Sequence, residues 1–484
     1  MQSEDVCEKK RFSFYGSALF LSSHNGTKLQ SKKEDYVKHL FLGLFGIAIL
    51  LTIFTEESHS TPAFARKYQT SCATCHNGFP KLNSFGEAFR RNGYQFPGGT
   101  DAQFTKEEPV ALGSDGNKRA FPDAIWPGSI SGTSPIAIFF DAEADYNPKY
   151  NPADPTTAER FSFNGLGNAI EAVAAGTIDE DVSYWGQLAL NSDGTLEINR
   201  VFLIFSNLIG SSYGLNARVG VIEPGLFSFS THRAWMEGYW FTTRPFSDGM
   251  GWTLEETQKG IEVNGILHGR LGYSAGVVEG FGDPHSDKDY YGHIFYKFDG
   301  LPLDGIVEGG GSQGASQPFI DNSLTIGAFA YAGQAMLDAG GIQQQNNFTL
   351  FGGDYNAFYG RLNLFGGVQL RKDDNPFLTM SGISAKSTVL FSELDVTVYP
   401  WLLPGVRYEV WNGQGLDANN ALVSFTDSQI VPGVVFLVRP NLKMTVRASF
   451  AKLNTASDSN GNPVLVPGQT VKPGQVQVFM ALGI

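Results

Sequence analysis

The residues of this 484-residue chain best suited to chemistry stand together at Cys72-Ala73-Thr74-Cys75-His76. Two thiols separated by two residues can bond to the two vinyl groups of one porphyrin, while the next imidazole reaches the iron from one face. C-x-x-C-H is therefore the attachment pattern of a c-type haem. A bare C-x-x-C would suit a redox dithiol or half of a zinc site equally well. Three features favour haem. The histidine follows directly, an export signal precedes the motif, and the one other cysteine is Cys7, far upstream. The expectation is one covalently attached haem c, bound by Cys72 and Cys75, with His76 as the metal ligand.

The flanking residues predict how such a group is held. Leu82, Phe85 and Phe89 recur at helical spacing, Ala88 falls on the same side, and Gly93 follows as a stop. This helix is expected to lay Leu82 and Phe85 toward the macrocycle and to expose Lys81, Glu87, Arg90 and Arg91. Arg66, Arg90 and Arg91 are candidate partners for haem propionates, with ordinary solvent exposure as the alternative for each. The second axial ligand stays open. The histidines beyond the export region are His232, His268, His285 and His293, and the methionines are Met236, Met250, Met336, Met380, Met444 and Met480. None lies in the haem segment, so either the long C-terminal region reaches in or the distal position is open. Asp283, His285, Asp287 and Asp289 form a polar cluster that would serve as an iron docking site or simply as a hydrated turn.

Elements that could position this chemistry follow from pattern and composition. The apolar run Leu40–Phe54, flanked by Lys38 and His39 before it and Glu56 and Glu57 after it, suits the core of a secretory signal. Val37 is a candidate alternative start, and Ser58-His59-Ser60 or Ala63-Phe64-Ala65 a cleavage site. Glycine reaches about 12% against a usual value near 7%, and charged residues only 17%. Such a chain suits neither a coiled coil nor a helical bundle nor a disordered tail. A net charge of -13 without a basic stripe excludes nucleic acid as a partner.

From about Ile136 onward the chain alternates. In 441–452, Leu442, Met444, Val446, Ala448 and Phe450 oppose Lys443, Thr445, Arg447 and Ser449. In 361–371, Leu362, Leu364, Val368 and Leu370 oppose Arg361, Asn363, Gln369 and Arg371, and 214–221 and 393–398 repeat the pattern. Asp299-Gly300 and Asn412-Gly413 read as turns between strands. Segments of about 9–11 residues are long enough to cross a tilted bilayer path, and a sandwich would have to bury the charged face. The expected fold is all-β: an outer-membrane β-barrel of about 14–18 antiparallel strands with a short N-terminal helical c-type haem segment. Its divisions are an N-terminal extension and signal peptide over 1–65, the haem segment with a connection or plug over 66–130, and the transmembrane barrel over 131–484. Trp126, Tyr184, Trp185, Trp240, Trp252, Tyr399, Trp401, Tyr408 and Trp411 are candidates for an interfacial girdle, and 226–255 and 412–427 read as loops.

The stretch 62–97, PAFARKYQTSCATCHNGFPKLNSFGEAFRRNGYQFP, resembles the haem segment of exported bacterial monohaem cytochromes with a β-rich body. It is similar in particular to the outer-membrane iron-oxidising, porin-like cytochromes of Leptospirillum-type chemolithotrophs. The resemblance covers about 36 of the 484 residues. It implies that Cys72 and Cys75 bind haem and that His76 is the proximal ligand. It also implies that Fe(II) outside the cell is the electron donor, a periplasmic cytochrome the acceptor and outer-membrane lipid the surroundings, with the haem in the lumen or on the periplasmic side. The chain would be an electron-transfer protein with Fe(II) oxidation as its candidate activity. The alternatives are a haem-bearing porin serving another donor or outward electron transfer, and a soluble periplasmic β-rich cytochrome.

Overall fold

The computed structural model describes residues 63–484, apart from 107–109, 112–114, 121, 123–128, 131–135, 148–159, 192–193, 211, 237, 244–251, 255–256, 281–286, 308–319, 340, 379, 418 and 455–473. The signal segment, Val37, Cys7, the 58–60 cleavage candidate, Trp126, Asp283 and His285 lie outside the described residues.

Sixteen antiparallel strands close into one barrel. The first eight are β1 Ile136–Tyr146, β2 Phe161–Asp179, β3 Val182–Asn191, β4 Leu196–Phe205, β5 Asn216–Ile222, β6 Gln258–Leu267, β7 Leu271–Val278 and β8 Asp289–Phe298. They are followed by β9 Asp321–Ala339, β10 Ile342–Gly360, β11 Leu362–Asp373, β12 Ala385–Val396, β13 Leu402–Leu416 and β14 Leu422–Arg439. Strand β15 runs Leu442–Ala448 and resumes at Phe450–Lys452, both pieces pairing with β14, and β16 is Val476–Gly483. Closure comes from β16 pairing with β1, as in Leu482↔Phe140 and Gln477↔Asp145. A separate two-residue ribbon joins Val110–Ala111 to Ser129–Ile130.

The alternation in the sequence is realised with apolar residues outward. Leu364 and Leu370 of β11 are 41% and 52% exposed, whereas Asn363, Gln369 and Arg371 on the same strand are at most 4% exposed. Strand β15 repeats this, with Lys443, Thr445, Arg447 and Ser449 buried and Phe450 exposed. A soluble sandwich would hide the first set and hydrate the second. A surface of this kind suits hydrocarbon, and closure leaves no unpaired edge for hydrocarbon to meet. Strands β3, β4, β6 and β8 have ten residues each, and ten residues tilted by about 45° span roughly 24 Å.

Turn chemistry is partly as expected. Asp299 and Gly300 both have positive φ, 51° and 59°, at the end of β8, so the chain turns there as expected, but the next strand starts only at Asp321 and the two residues open a long connection rather than a tight hairpin. Asn412-Gly413 is a correction. Both residues lie within β13, paired with Thr426 and Phe425 of β14. A Cβ on Gly413 would come within 2.5 Å of the Phe425 ring, so this glycine lets an aromatic lie across the strand rather than turning it. Most of 412–427 is accordingly strand.

The girdle reading divides. Tyr399, Trp401 and Tyr408 are about half exposed on the outside, while Trp185, Trp240, Trp252 and Trp411 are buried inside. For Trp240 and Trp252 the reason is the connection between β5 and β6, whose described residues fold into the lumen, while Trp185 stacks on Tyr94 and Trp411 packs on Phe425. In the connection, Leu226, Trp235, Met236, Tyr239, Trp240, Phe241 and Trp252 are at most 2% exposed. Aromatics of the connection meet inward rings of the wall: Phe227 and Phe329 lie 5.2 Å apart, Phe229 and Phe365 5.2 Å, and Phe241 and Phe391 4.8 Å. Each such side chain contributes about 2 kcal/mol by leaving water. Polar anchors fix the chain path, with the Trp240 amide donating to Glu409 at 2.6 Å and Arg407 donating to the Met236 carbonyl at 2.9 Å.

Candidate functional site

The second lumen filling is the segment that carries C-x-x-C-H. It comprises α1 Ala63–Tyr68, a 3-10 turn Cys72–Thr74, α2 Ser84–Arg91 and α3 Asp101–Phe104. Helix α2 begins at Asn83, whose side chain accepts from the Gly86 amide at 2.8 Å. The same side chain donates to the carbonyls of Ala73 and Thr74 at 3.1 Å each, and the Asn83 amide donates to the Cys75 carbonyl at 3.0 Å. One asparagine thus caps the helix and clamps the motif against it. Gly86 permits that contact, since a Cβ there would stand 2.0 Å from the Cys75 carbonyl oxygen.

His76 is held in a defined protonation state. Its Nδ1 lies 3.0 Å from the Pro80 carbonyl oxygen, which can only accept, so Nδ1 carries the proton and Nε2 presents its lone pair. Burial pushes the imidazole down to about 4, which keeps it neutral. Burial pushes the Cys75 thiol up to about 12, with the neighbouring Cys72 adding to the effect.

Cys72, Cys75 and His76 border one cavity of about 290 Å³ between this segment and the inner wall. Leu82, Phe89 and Phe79 supply apolar surface from the segment, and Phe139, Val173, Trp185 and Phe479 from the wall. Arg90, Arg200, Arg233 and His232 add polar groups. Two thiols, one imidazole nitrogen, apolar faces and several cations on one cavity fit a haem c with its propionates. The cavity lies in the half of the barrel whose turns are mostly short, including 180–181, 361 and 440–441, and where β1 starts and β16 ends.

Several expected contacts differ. Lys81 and Glu87 are buried rather than exposed. Lys81 lies three residues before α2 and faces the polar wall, where it pairs with Asp395 of β12 and sits 4.0 Å over the Phe365 ring. Glu87 pairs with Arg90 at 2.8 Å. Phe85 packs on Phe96, with ring centres 5.3 Å apart, while Phe89 and Leu82 border the cavity. Of the three arginines expected near propionates, Arg90 borders the cavity. Arg66 instead donates to the Ile136 carbonyl at 2.9 Å and Arg91 to the Ser228 carbonyl. Arg200 and Arg233 were not anticipated. The strand alternation that turns Arg200 inward was a usable signal, whereas nothing local marks Arg233.

Further contacts dock the segment. Lys67 pairs with Asp101 at 2.6 Å, and Thr177 of β2 donates to the same carboxylate at 2.8 Å. Ser84 donates to Asp321 of β9 at 2.5 Å, and Tyr94 stacks on Trp185 at 4.9 Å. Trp235 of the inserted connection donates to the Asn77 carbonyl at 2.8 Å. Among the described residues no group of three or more His, Cys, Asp or Glu side chains is arranged for a metal. Within the expected polar cluster, Asp289 accepts from Tyr331 at 2.6 Å and from the Gln334 amide at 3.0 Å.

No family model matches the chain and no curated relative does. Among solved structures, the anion-selective porin from Comamonas acidovorans is 14% identical, with 72% of this chain and 98% of that one covered and a TM-score of 0.46. The Salmonella typhi OmpF complex with daunomycin is 12% identical over 72% and 97%, with a TM-score of 0.48. The outer membrane channel DcaP of Acinetobacter baumannii is 10% identical over 72% and 96%, with a TM-score of 0.44. Likeness at this level concerns the barrel alone, and the porin-like architecture stands on the strand pairing and the outward apolar face described above.

Proposed function

We propose that this chain is an outer-membrane monohaem c-type cytochrome whose barrel carries electrons from extracellular Fe(II) to a periplasmic carrier. The observation that carries this reading is the meeting of Cys72, Cys75 and His76 on one cavity inside a closed, outwardly apolar barrel. Bound there, a haem c supplies one-electron chemistry at a potential set by ligation and surroundings.

The chain's own residues have separable tasks. Cys72 and Cys75 provide the thioether sulfurs, and the Pro80 carbonyl orients His76 so that Nε2 faces outward from its hydrogen bond. Leu82, Phe89 and Phe139 keep water from the cavity, and Arg90, Arg200 and Arg233 offer cations for carboxylates. Short turns generally mark the periplasmic end of a barrel, which favours a haem near the periplasmic mouth and within reach of a carrier docking there. The choice of Fe(II) rests on the resemblance of 62–97. Inward carboxylates are compatible with it: Asp141 and Glu171 border the cavity, and Glu143 and Asp145 continue the same face of β1 away from it.

Anaerobic mixing of the purified ferric protein with Fe(II) at low pH, followed in the visible spectrum, tests the assignment of donor. Reduction by Fe(II) is the expected result. A protein that Fe(II) leaves oxidised while a periplasmic donor reduces it readily would reverse the direction proposed.

A further inference from the structure

We propose that His232 is the distal axial ligand of the haem, so that the iron is held between the inserted segment and the β5–β6 connection. This inference rests on the haem reading given above and adds to it a residue from elsewhere in the chain. His232 and His76 are separated by 155 intervening residues in sequence, yet both border the same cavity.

The other candidates among the described residues lie elsewhere. His293 is buried on β8 with its Nε2 2.8 Å from Asp354, and His268 is exposed in the turn after β6. None of the described methionines borders the cavity: Met236 packs toward Gly433, and Met444 and Met480 sit on outward positions of β15 and β16. Lys443 does border it, but its ammonium lies 5.3 Å over the Phe479 ring and 6.0 Å over Phe79. That is the seat of a protonated cation rather than of a neutral donor.

Two features suit His232 to iron. It lies in the short 3-10 turn Thr231–Arg233, and Trp235 in the same connection donates to the carbonyls of Asn77 and Gly78 at 2.8 and 3.1 Å. The two histidine-bearing segments are therefore tied together one residue from His76.

The test uses the full-length holoprotein in detergent, comparing wild type, His232→Ala, His232→Met and Lys443→Met. Pyridine haemochrome spectra count covalent haem, and visible and electron paramagnetic resonance spectra report ligation. The wild type is expected to be low-spin in both oxidation states and, when ferrous, not to bind CO. His232→Ala should carry the same haem per chain but lose the low-spin signal, bind CO, and return to low-spin when imidazole is added. His232→Met, which preserves bulk should the alanine variant fail to fold, should stay low-spin with a raised potential, because a thioether ligand raises it. Lys443→Met should match the wild type. A high-spin wild type, unchanged spectra in both His232 variants, or loss of the low-spin signal in Lys443→Met would overturn the ligand assignment while leaving covalent haem intact. A wild-type chain without covalent haem would overturn the haem reading, and this inference with it.

Discussion

Replacing Lys81 by Met tests whether the haem segment is locked into the lumen. Lys81 and Asp395 are paired with side-chain exposures of only 9% and 0%, and the ammonium also lies 4.0 Å over Phe365 and 5.1 Å over Trp235. The substitution keeps the bulk and the apolar stem but strands a buried carboxylate on β12, two positions from the equally buried Glu393. Removing one partner of a buried pair typically costs about 3–5 kcal/mol. Loss of the cation from two ring faces acts in the same direction and adds about 1–2 kcal/mol. We therefore expect a loss of about 4–7 kcal/mol, or roughly three to five orders of magnitude in the equilibrium for undocking the segment. Hydrogen exchange of residues 63–106 in detergent, read beside urea unfolding, measures it. Faster exchange confined to that segment is expected. The double variant Lys81→Met/Asp395→Leu should recover most of the loss, because an apolar pair can replace a buried ion pair at little net cost. A single variant within about 1 kcal/mol of wild type, or a double variant as unstable as the single, would refute this reasoning.

Two other perturbations follow from the same geometry. Gly86→Ala forces a methyl to within 2.0 Å of the Cys75 carbonyl oxygen. It should cost about 1–3 kcal/mol and reduce the haem bound per chain, and normal haem content with a normal urea midpoint would count against the clamp. In the chain without haem, where the His232 imidazole can carry a proton, Glu223 is pushed up by burial but pulled down more strongly by His232, Arg200, Arg233 and Arg90, to about 2. A carboxyl depressed in this way contributes stability that is present above its unfolded pKa and is lost as pH falls from about 4.5 to about 2, at most about 3 kcal/mol. Glu223→Gln should thus be less stable at pH 7 and show a flatter acid limb in urea unfolding followed by tryptophan fluorescence. Parallel acid limbs would contradict the assignment.

Much of the barrel was legible because its alternation is strict. From 441 to 449 every second residue is charged or polar, as are Asn363, Gln369 and Arg371 of β11, and those residues line the lumen, with Phe365 as an inward aromatic between them. Glycine and aromatic signals were harder to read. Asn412-Gly413 has the composition of a hairpin turn, yet the cross-strand Phe425 ring fills the space that its glycine leaves. The 226–255 stretch carries loop residues but also Trp235, Tyr239, Trp240, Phe241 and Trp252, whose burial depends on the surrounding wall and leaves no local period to detect. At the site, Cys72, Cys75 and His76 are visible as a motif. His232, Arg200 and Arg233 reach the cavity only through barrel closure and loop insertion. Lys81, just before α2, and the charged residues of that helix read as solvent-facing because an amphipathic helix ordinarily packs on an apolar core, whereas here the surrounding wall is polar and Lys81 finds Asp395 on it.

The central claim, a haem covalently held inside a membrane barrel, is tested most directly by electrophoresis of purified protein with and without heating, stained for haem. The account predicts a compact unheated band and a slower heated band, both staining, with the stain lost in Cys72→Ser/Cys75→Ser while the heat-dependent shift remains. A heat-shifting barrel that carries no covalent haem in the wild type would contradict it.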